Sequence, residues 1–409
     1  MLRESRLRWY WSAQFTSEVG WGIGSVALPL TAVATLGASP MEMGVLGAAS
    51  QLPVLLFALH AGVWSDRLQR RPILVATNLG RGVLLTLVPL AGWMGWLHIE
   101  VLWGVAFAIG TLTVTFDIAA TSYLPFLVTD RRRLVEANAA LQAGAGAARV
   151  AGPAAGGWLV HAVGAPASLL VQAMSFLLSA ALLAQLHVPD DVRREDQRGV
   201  WTEIGEGIAA VWRDPLLRAM VLSTAIAALG GSVQQAVYVL FVYRDVGVDA
   251  PTLGGIIASG SVAGLIGAAS AQRAARWLTA GGAMVAGQAA VVASALLVPI
   301  AQPGPMGVAI LALAQVLFGC GLTIFSVTQI SLRQAVTPRH ILGRVNATRR
   351  VAVFGVQPFG AVLGGALGTS LGLHAALIGA AVISLIALAA MAASPLRNAR
   401  ETVQHDSSA

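Results

Sequence analysis

Residues 42–96 read EMGVLGAASQLPVLLFALHAGVWSDRLQRRPILVATNLGRGVLLTLVPLAGWMGW. Two apolar stretches, 42–64 and 72–96, flank a short knot of arginines around one aspartate. An α-helix crosses a bilayer core in about 20 residues, and each stretch is long enough. The break between them is too short to separate two soluble domains. A hairpin of membrane-spanning helices with a basic turn accounts for both features.

Working outward, the same alternation recurs along all 409 residues. Spans are expected at 9–36, 42–64, 72–96, 101–127, 137–162, 165–187, 216–243, 252–275, 281–301, 305–332, 342–371 and 373–394. Several exceed the minimum length, which predicts tilted or broken helices. Met1–Arg8 has the charge of a signal-peptide leader, but the apolar segment behind it is longer than the usual 7–15 residues, so it reads as a retained first span. Only 11% of the residues are charged, against about 25% in a soluble domain. A single soluble core also stops growing near 250–300 residues. The fold class expected is therefore an all-α membrane protein with twelve transmembrane helices.

Every one of the 26 basic residues is arginine. Without lysine there is no P-loop to grip nucleotide phosphates and no Schiff-base amine. With the N-terminus inside, the cytoplasmic connections are 65–71, 128–136, 188–215, 276–280 and 333–341. With the tails and adjoining helix ends they hold all arginines but Arg81, Arg149 and Arg244, the bias that the positive-inside rule requires. The outer side carries Glu42, Glu100, Asp245 and Asp249 instead. The net charge of +7 thus reflects topology and anionic lipid headgroups, and no nucleic-acid partner is expected. Cys320 is alone, which excludes a disulfide framework, and His60, His161 and His374 have no metal-ligand spacing. No metal or cofactor is expected, and no nucleophile–base arrangement argues for an enzyme.

The polar stretch from Pro189 to Pro215 divides the chain into two six-helix bundles, 1–188 and 216–394, with a linker at 189–215 and a cytoplasmic tail at 395–409. Within the linker, Trp201, Ile204, Ile208 and Trp212 recur at helical spacing; a short interfacial helix and a solvated linker with anchoring aromatics both fit. An internal repeat supports the division. Leu-Val-Glu-Ala-Asn-Ala at 134–139 aligns with Leu-Gly-Arg-Val-Asn-Ala at 342–347, and the same offset pairs Gly156-Gly157 with Gly364-Gly365. Transporters are built from such repeated halves, with substrate bound between them.

Three groups of residues carry functional expectations. In the first basic turn, Gly62 permits close helix packing, Asp66 can accept at a helix N-terminus, and Arg67, Arg70 and Arg71 can pair with acids or lipid phosphates; together they make a cytoplasmic gating latch. In the fifth span, Gly152, Pro153, Gly156 and Gly157 combine a lost helix hydrogen bond with close-packing glycines. Finally, Glu18, Arg81, Asp117 and Arg149 sit about 9–13 residues from their cytoplasmic helix ends, roughly 14–20 Å deep. A central charge costs at least about 2.5–3.5 kcal/mol, so four at one depth ask for a reason. No Asp or Glu occurs between Asp249 and Glu401, so carboxylate-based coupling falls to the first half. Glu18 and Asp117 are the proton-coupling candidates and Arg81 and Arg149 their partners; a set of static ion pairs is the alternative. Gln234, Gln235 and Gln329, with Gln288 and Gln315, are candidates for polar groups lining a cavity in the second half.

The latch, Gly62-Val-Trp-Ser-Asp66-Arg67-Leu-Gln-Arg70-Arg71, resembles the G-x-x-x-D-R-x-x-R-R pattern of the major facilitator superfamily. Gly152-Pro153-Ala-Ala-Gly156-Gly157 is similar to its antiporter motif. Phe15-Thr-Ser17-Glu-Val-Gly20-Trp21, Ala27-Leu-Pro29, Leu36-Gly-Ala-Ser39-Pro40 and Arg344-Val-Asn346-Ala347 resemble the efflux branch that contains macrolide exporters and the enterobactin exporter. Two departures stand out: Trp21 occupies a place where branch members often carry an acid, and the second-half latch is reduced to Gln272-Arg273-Ala-Ala-Arg276. The resemblance implies a monomeric inner-membrane efflux permease with both termini cytoplasmic. It would exchange an amphipathic organic compound for protons, or sodium, by alternating access between two pseudo-symmetric bundles. A dedicated siderophore or metabolite exporter, a lipid transporter, and a membrane enzyme or receptor are the other readings.

Overall fold

The computed structural model describes residues 5–67, 69–128, 130–186, 200–338 and 341–399, with only the backbone at 5, 58–67, 131, 200–204, 206, 207 and 398. These residues form twelve α-helices: α1 (Ser5–Leu30), α2 (Pro40–Arg67), α3 (Arg70–Trp93), α4 (Ile99–Leu127), α5 (Arg131–Val163), α6 (Ala165–Ala184), α7 (Val200–Arg213), α8 (Pro215–Arg244), α9 (Ala250–Leu297), α10 (Pro305–Val336), α11 (Leu342–Leu371) and α12 (Leu373–Ala392). Helix α7 lies on the expected interfacial segment. Helix α9 holds two spans broken at Thr279, which has φ of +69° and whose hydroxyl accepts from the Gly282 N–H at 3.1 Å. Twelve spans follow, as expected from the apolar runs.

Among the described residues, nine helices are long and apolar enough to cross a membrane. Helices α1 and α5 fall outside that set: their apolar stretches are diluted by glycine and polar residues around one charge each, Glu18 in α1 and Arg149 in α5. The outer faces are apolar at helical spacing. Leu79, Val83, Leu87 and Leu90 on α3 are exposed, and so are Ile378, Val382, Leu385 and Ile386 on α12. Water would penalise such stripes, whereas hydrocarbon solvates them. This is a multi-pass membrane protein.

The chain forms two compact units, Met1–Asp196 with Val242–Ala258, and Gln197–Phe241 with Ser259–Ala409. In the first, α1 packs on α5 and α6, α3 on α4 and α6, and α2 on α4. Ser39 and Glu42 cap α2 reciprocally, the Ser39 N–H donating to Glu42 Oε2 at 2.6 Å and the Glu42 N–H to Ser39 Oγ at 3.3 Å; this arrangement satisfies two orphan donors. In the second unit α11 packs on α12 and α7.

The repeat read in the sequence has a packing counterpart inside each unit. A Cβ added at Gly152 would lie 2.7 Å from Gly22 Cα, and one at Gly156 would lie 2.8 Å from the Ile23 carbonyl. So α5 meets α1 backbone to backbone. At the same offset, a Cβ at Gly360 would lie 2.7 Å from the Leu229 carbonyl and one at Gly364 2.5 Å from that of Val233. Helix α11 therefore meets α8 as α5 meets α1.

Candidate functional site

The four charged residues of the first unit come together around α3. Arg81 is 3% exposed, with its guanidinium between two aromatic faces, 4.3 Å from the Phe116 ring centroid and 4.5 Å from that of Phe176. It donates to Asn78 Oδ1 and, at 3.5 Å, to Thr113 Oγ1. Asn78 in turn donates to Ser179 Oγ at 2.8 Å, and Ser179 donates to the Ala13 carbonyl at 2.7 Å. A continuous polar chain thus ties α3 to α6 and α1. Stacked rings attract a cation through their quadrupoles, while the amide and hydroxyl fix the direction of the guanidinium fork.

Two carboxylates act on this fixed cation, Asp117 from α4 and Glu18 from α1. Glu18 also interacts with Arg149 on α5. Glu18 is half-buried, and Asp117 and Arg149 are exposed. The constellation is one buried, stacked cation, one exposed cation and two acids, spread over α1, α3, α4 and α5.

The helix end from which Arg149 is counted needs correction. Helix α5 begins at Arg131, capped by Asp130 accepting from the Arg132 N–H, not near Asn138. Arg149 thus lies roughly 27 Å along its helix, and it still reaches Glu18 because the first two turns of α5 extend beyond its apolar segment.

Sequence reasoning missed Asn78, Ser179, Phe116 and Phe176. One signal was available for Asn78: it stands one helical turn before Arg81, where side chains three apart are neighbours.

The antiporter-like motif divides its work. Gly152 and Gly156 face α1, while a Cβ at Gly157 would overlap the Ala250 carbonyl at the start of α9. Pro153 is buried, and its carbonyl occupies the space into which a Cβ at Gly254 would project.

Of the gating latch, Gly62, Asp66 and Arg67 end α2, and their side chains lie outside the described residues. Arg70 stacks on Phe126 at 4.3 Å, and Arg71 donates to the carbonyl of Ala184, the last residue of α6. That contact caps an orphan carbonyl at the negative end of a helix dipole.

Among the glutamines, Gln329 is 3% exposed and donates to Thr224 Oγ1, Gln288 is equally buried, and Gln315 is half-buried. Gln234 is half-buried and Gln235 exposed. Gln329 is thus committed to a bond between α10 and α8. A cleft of about 620 Å³ in the second unit is lined by Gln272, Arg276 and Trp277 of α9 and Thr328 and Ser331 of α10. It lies at the reduced latch and contains none of the four charges. His374 sets its ring edge-on to Phe241 at 5.0 Å, and no metal-binding cluster occurs among the described residues.

Residues 10–356 match the Major Facilitator Superfamily. The multidrug efflux pump Tap of Mycolicibacterium fortuitum is 25% identical over 382 residues, covering 89% of each chain. Tap of Mycobacterium tuberculosis strain H37Rv is 27% identical over 388 residues, 90% of this chain and 88% of the relative. Among solved structures, the nucleoside transporter NupG superposes with a TM-score of 0.77 at 12% identity, over 95% of this chain and 98% of the other. A bacterial homologue of the iron transporter ferroportin gives 0.70 at 16% identity, over 95% and 98%.

Proposed function

Because this chain belongs to the major facilitator superfamily, we propose that it is a secondary-active permease that exports amphipathic, drug-like organic compounds in exchange for protons. The carrying observation is the charge set of the first unit: Glu18 and Asp117 share a cation that stacking and hydrogen bonding hold in place. A proton added to either carboxylate releases its hold on Arg81, and for Glu18 its hold on Arg149 as well. Arg149 is the cation free to respond, since Arg81 is clamped.

The exchange runs by alternating access of the halves 1–188 and 216–394 in the plasma membrane, with both termini cytoplasmic and the protein acting as a monomer. Close backbone packing at Gly152 and Gly156 keeps α1 and α5 moving as one body and limits ion leak. The efflux-pump relatives favour a drug-like substrate over a single siderophore or a lipid.

The test is purified protein in proteoliposomes with ethidium as the probe. An imposed pH gradient should drive uphill ethidium movement, and Glu18→Gln with Asp117→Asn should leave only downhill flux. Full pH-driven accumulation in that double variant overturns the coupling assignment. A response to a sodium gradient alone reassigns the ion.

A further inference from the structure

The second unit contains a feature that the transport reading does not use. Arg333, near the end of α10, is 5% exposed, and its Nε and Nη1 find no hydrogen-bond partner. One turn on, the buried Thr337 hydroxyl is also unpartnered. Across the connection on α11, the same holds for Arg349 Nε and Asn346 Oδ1. Arg333 feels the charge of Arg349, and Arg349 that of Arg350. Among the described residues neither guanidinium has a carboxylate partner, and no acid occurs from 250 to 400. Of the acids on α7 and at the start of α8, Asp214 accepts from the Leu216 and Leu217 N–H groups, and the side chains of Glu203 and Glu206 lie outside the described residues.

Arg333 is buried and Arg349 half-buried, and among the described residues their orphaned donors meet no counter-charge, an arrangement that burial penalises. The positive-inside bias accounts for arginines at this end of α10 and α11, but not for a guanidinium buried with unmet donors, as that of Arg333 is, and those donors ask for an anion. We propose that Arg333 and Arg349 hold a phosphate-type oxyanion at the junction of α10 and α11. Paired guanidinium forks match the spacing of phosphate oxygens, and the Thr337 hydroxyl supplies a further donor. The oxyanion comes either from a lipid headgroup or from a soluble phosphate. The site stands apart from the proton-coupling proposal, because it shares no residue with it.

The test measures the thermal unfolding midpoint of the full chain at constant ionic strength, in neutral detergent with inorganic phosphate against chloride, and in phosphatidylcholine vesicles with and without phosphatidylglycerol. The wild type should gain roughly 5 °C at saturation. Arg333→Gln and Arg349→Gln should lose the gain, while Arg350→Gln keeps it. In chloride, Arg333→Gln should melt no lower than wild type, since it removes an uncompensated cation. A response to inorganic phosphate in detergent assigns the soluble anion; one confined to phosphatidylglycerol vesicles assigns the headgroup. If Arg333→Gln does not fold, Arg349→Gln carries the comparison. Indifference to both probes, or loss of the gain in Arg350→Gln, overturns the proposal.

Discussion

Replacing Gly156 by alanine is the sharpest probe of how each half is held together. The new Cβ would stand 2.8 Å from the Ile23 carbonyl oxygen and 3.0 Å from Ile23 Cα, both backbone atoms of α1, where ordinary contact begins at 3.4 Å. Neither neighbour is a side chain that can swing away. Helices α1 and α5 must therefore part by about 0.6 Å, and every other contact along that close-packed seam loosens with them. Overpacking of this kind costs typically about 1–3 kcal/mol. For a unit of this size each kcal/mol moves the unfolding midpoint by about 2–4 °C. Gly231→Ala on α8 is the control, since a Cβ there meets nothing within 4 Å and alanine gains about 0.5–1 kcal/mol over glycine in a helix. Fluorescence-monitored melting in detergent should show Gly156→Ala several degrees below wild type and Gly231→Ala at or above it. Equal midpoints for the two variants would refute the claim that backbone contact, rather than lipid or loops, sets the α1–α5 spacing.

Other outcomes follow from single contacts. Ser179→Ala removes both the acceptor of Asn78 and the donor to Ala13. It should lower stability by about 1–3 kcal/mol and reduce pH-driven ethidium flux, because Arg81 loses its orientation; wild-type flux in a folded Ser179→Ala would count against the relay. Tyr10→Phe deletes a 2.9 Å bond to the Ala120 carbonyl and an acceptor for Gln14, costing about 1–2 kcal/mol in thermal melting. By the repeat offset, Arg149 corresponds to Gln357, and by the glycine contacts Glu18 corresponds to Ala228. Ala228→Glu or Gln357→Arg alone should each cost about 2.5–3.5 kcal/mol, while the two together should cost less than their sum; strict additivity in melting would exclude a contact between those positions.

Most of the fold was legible in the chain because a bilayer leaves so few options. Apolar runs bounded by arginines gave all twelve spans, including the break in α9, where Arg273, Arg276 and a polar Thr279 interrupt the pattern. Where α5 begins was not legible: Arg131–Arg133 look like loop, yet Asp130 caps a helix that includes them. The charged residues were legible as candidates, since a charge within an apolar run is conspicuous against alanine and leucine. Their support was not. Phe116, Phe176 and Ser179 are ordinary residues of membrane helices, and only the tertiary packing of α3 between α4 and α6 reveals what they hold.

The two units share one packing scheme and differ in where they keep charge, and desolvation explains how both stay stable. At the α1–α5 seam the first unit sets an acid and a base, Glu18 and Arg149, within reach of each other. At the matching α8–α11 seam the second unit has Ala228 and Gln357. A lone acid or a lone base at either place would carry an uncompensated penalty, so the stable alternatives are both charges or neither. Each seam realises one of these alternatives. The Arg333–Arg349 pair departs from that pattern, since among the described residues no carboxylate meets either cation although Arg333 is buried. An exception to so costly a rule is better accounted for by a bound anion than by packing, since packing alone would be served as well by uncharged side chains.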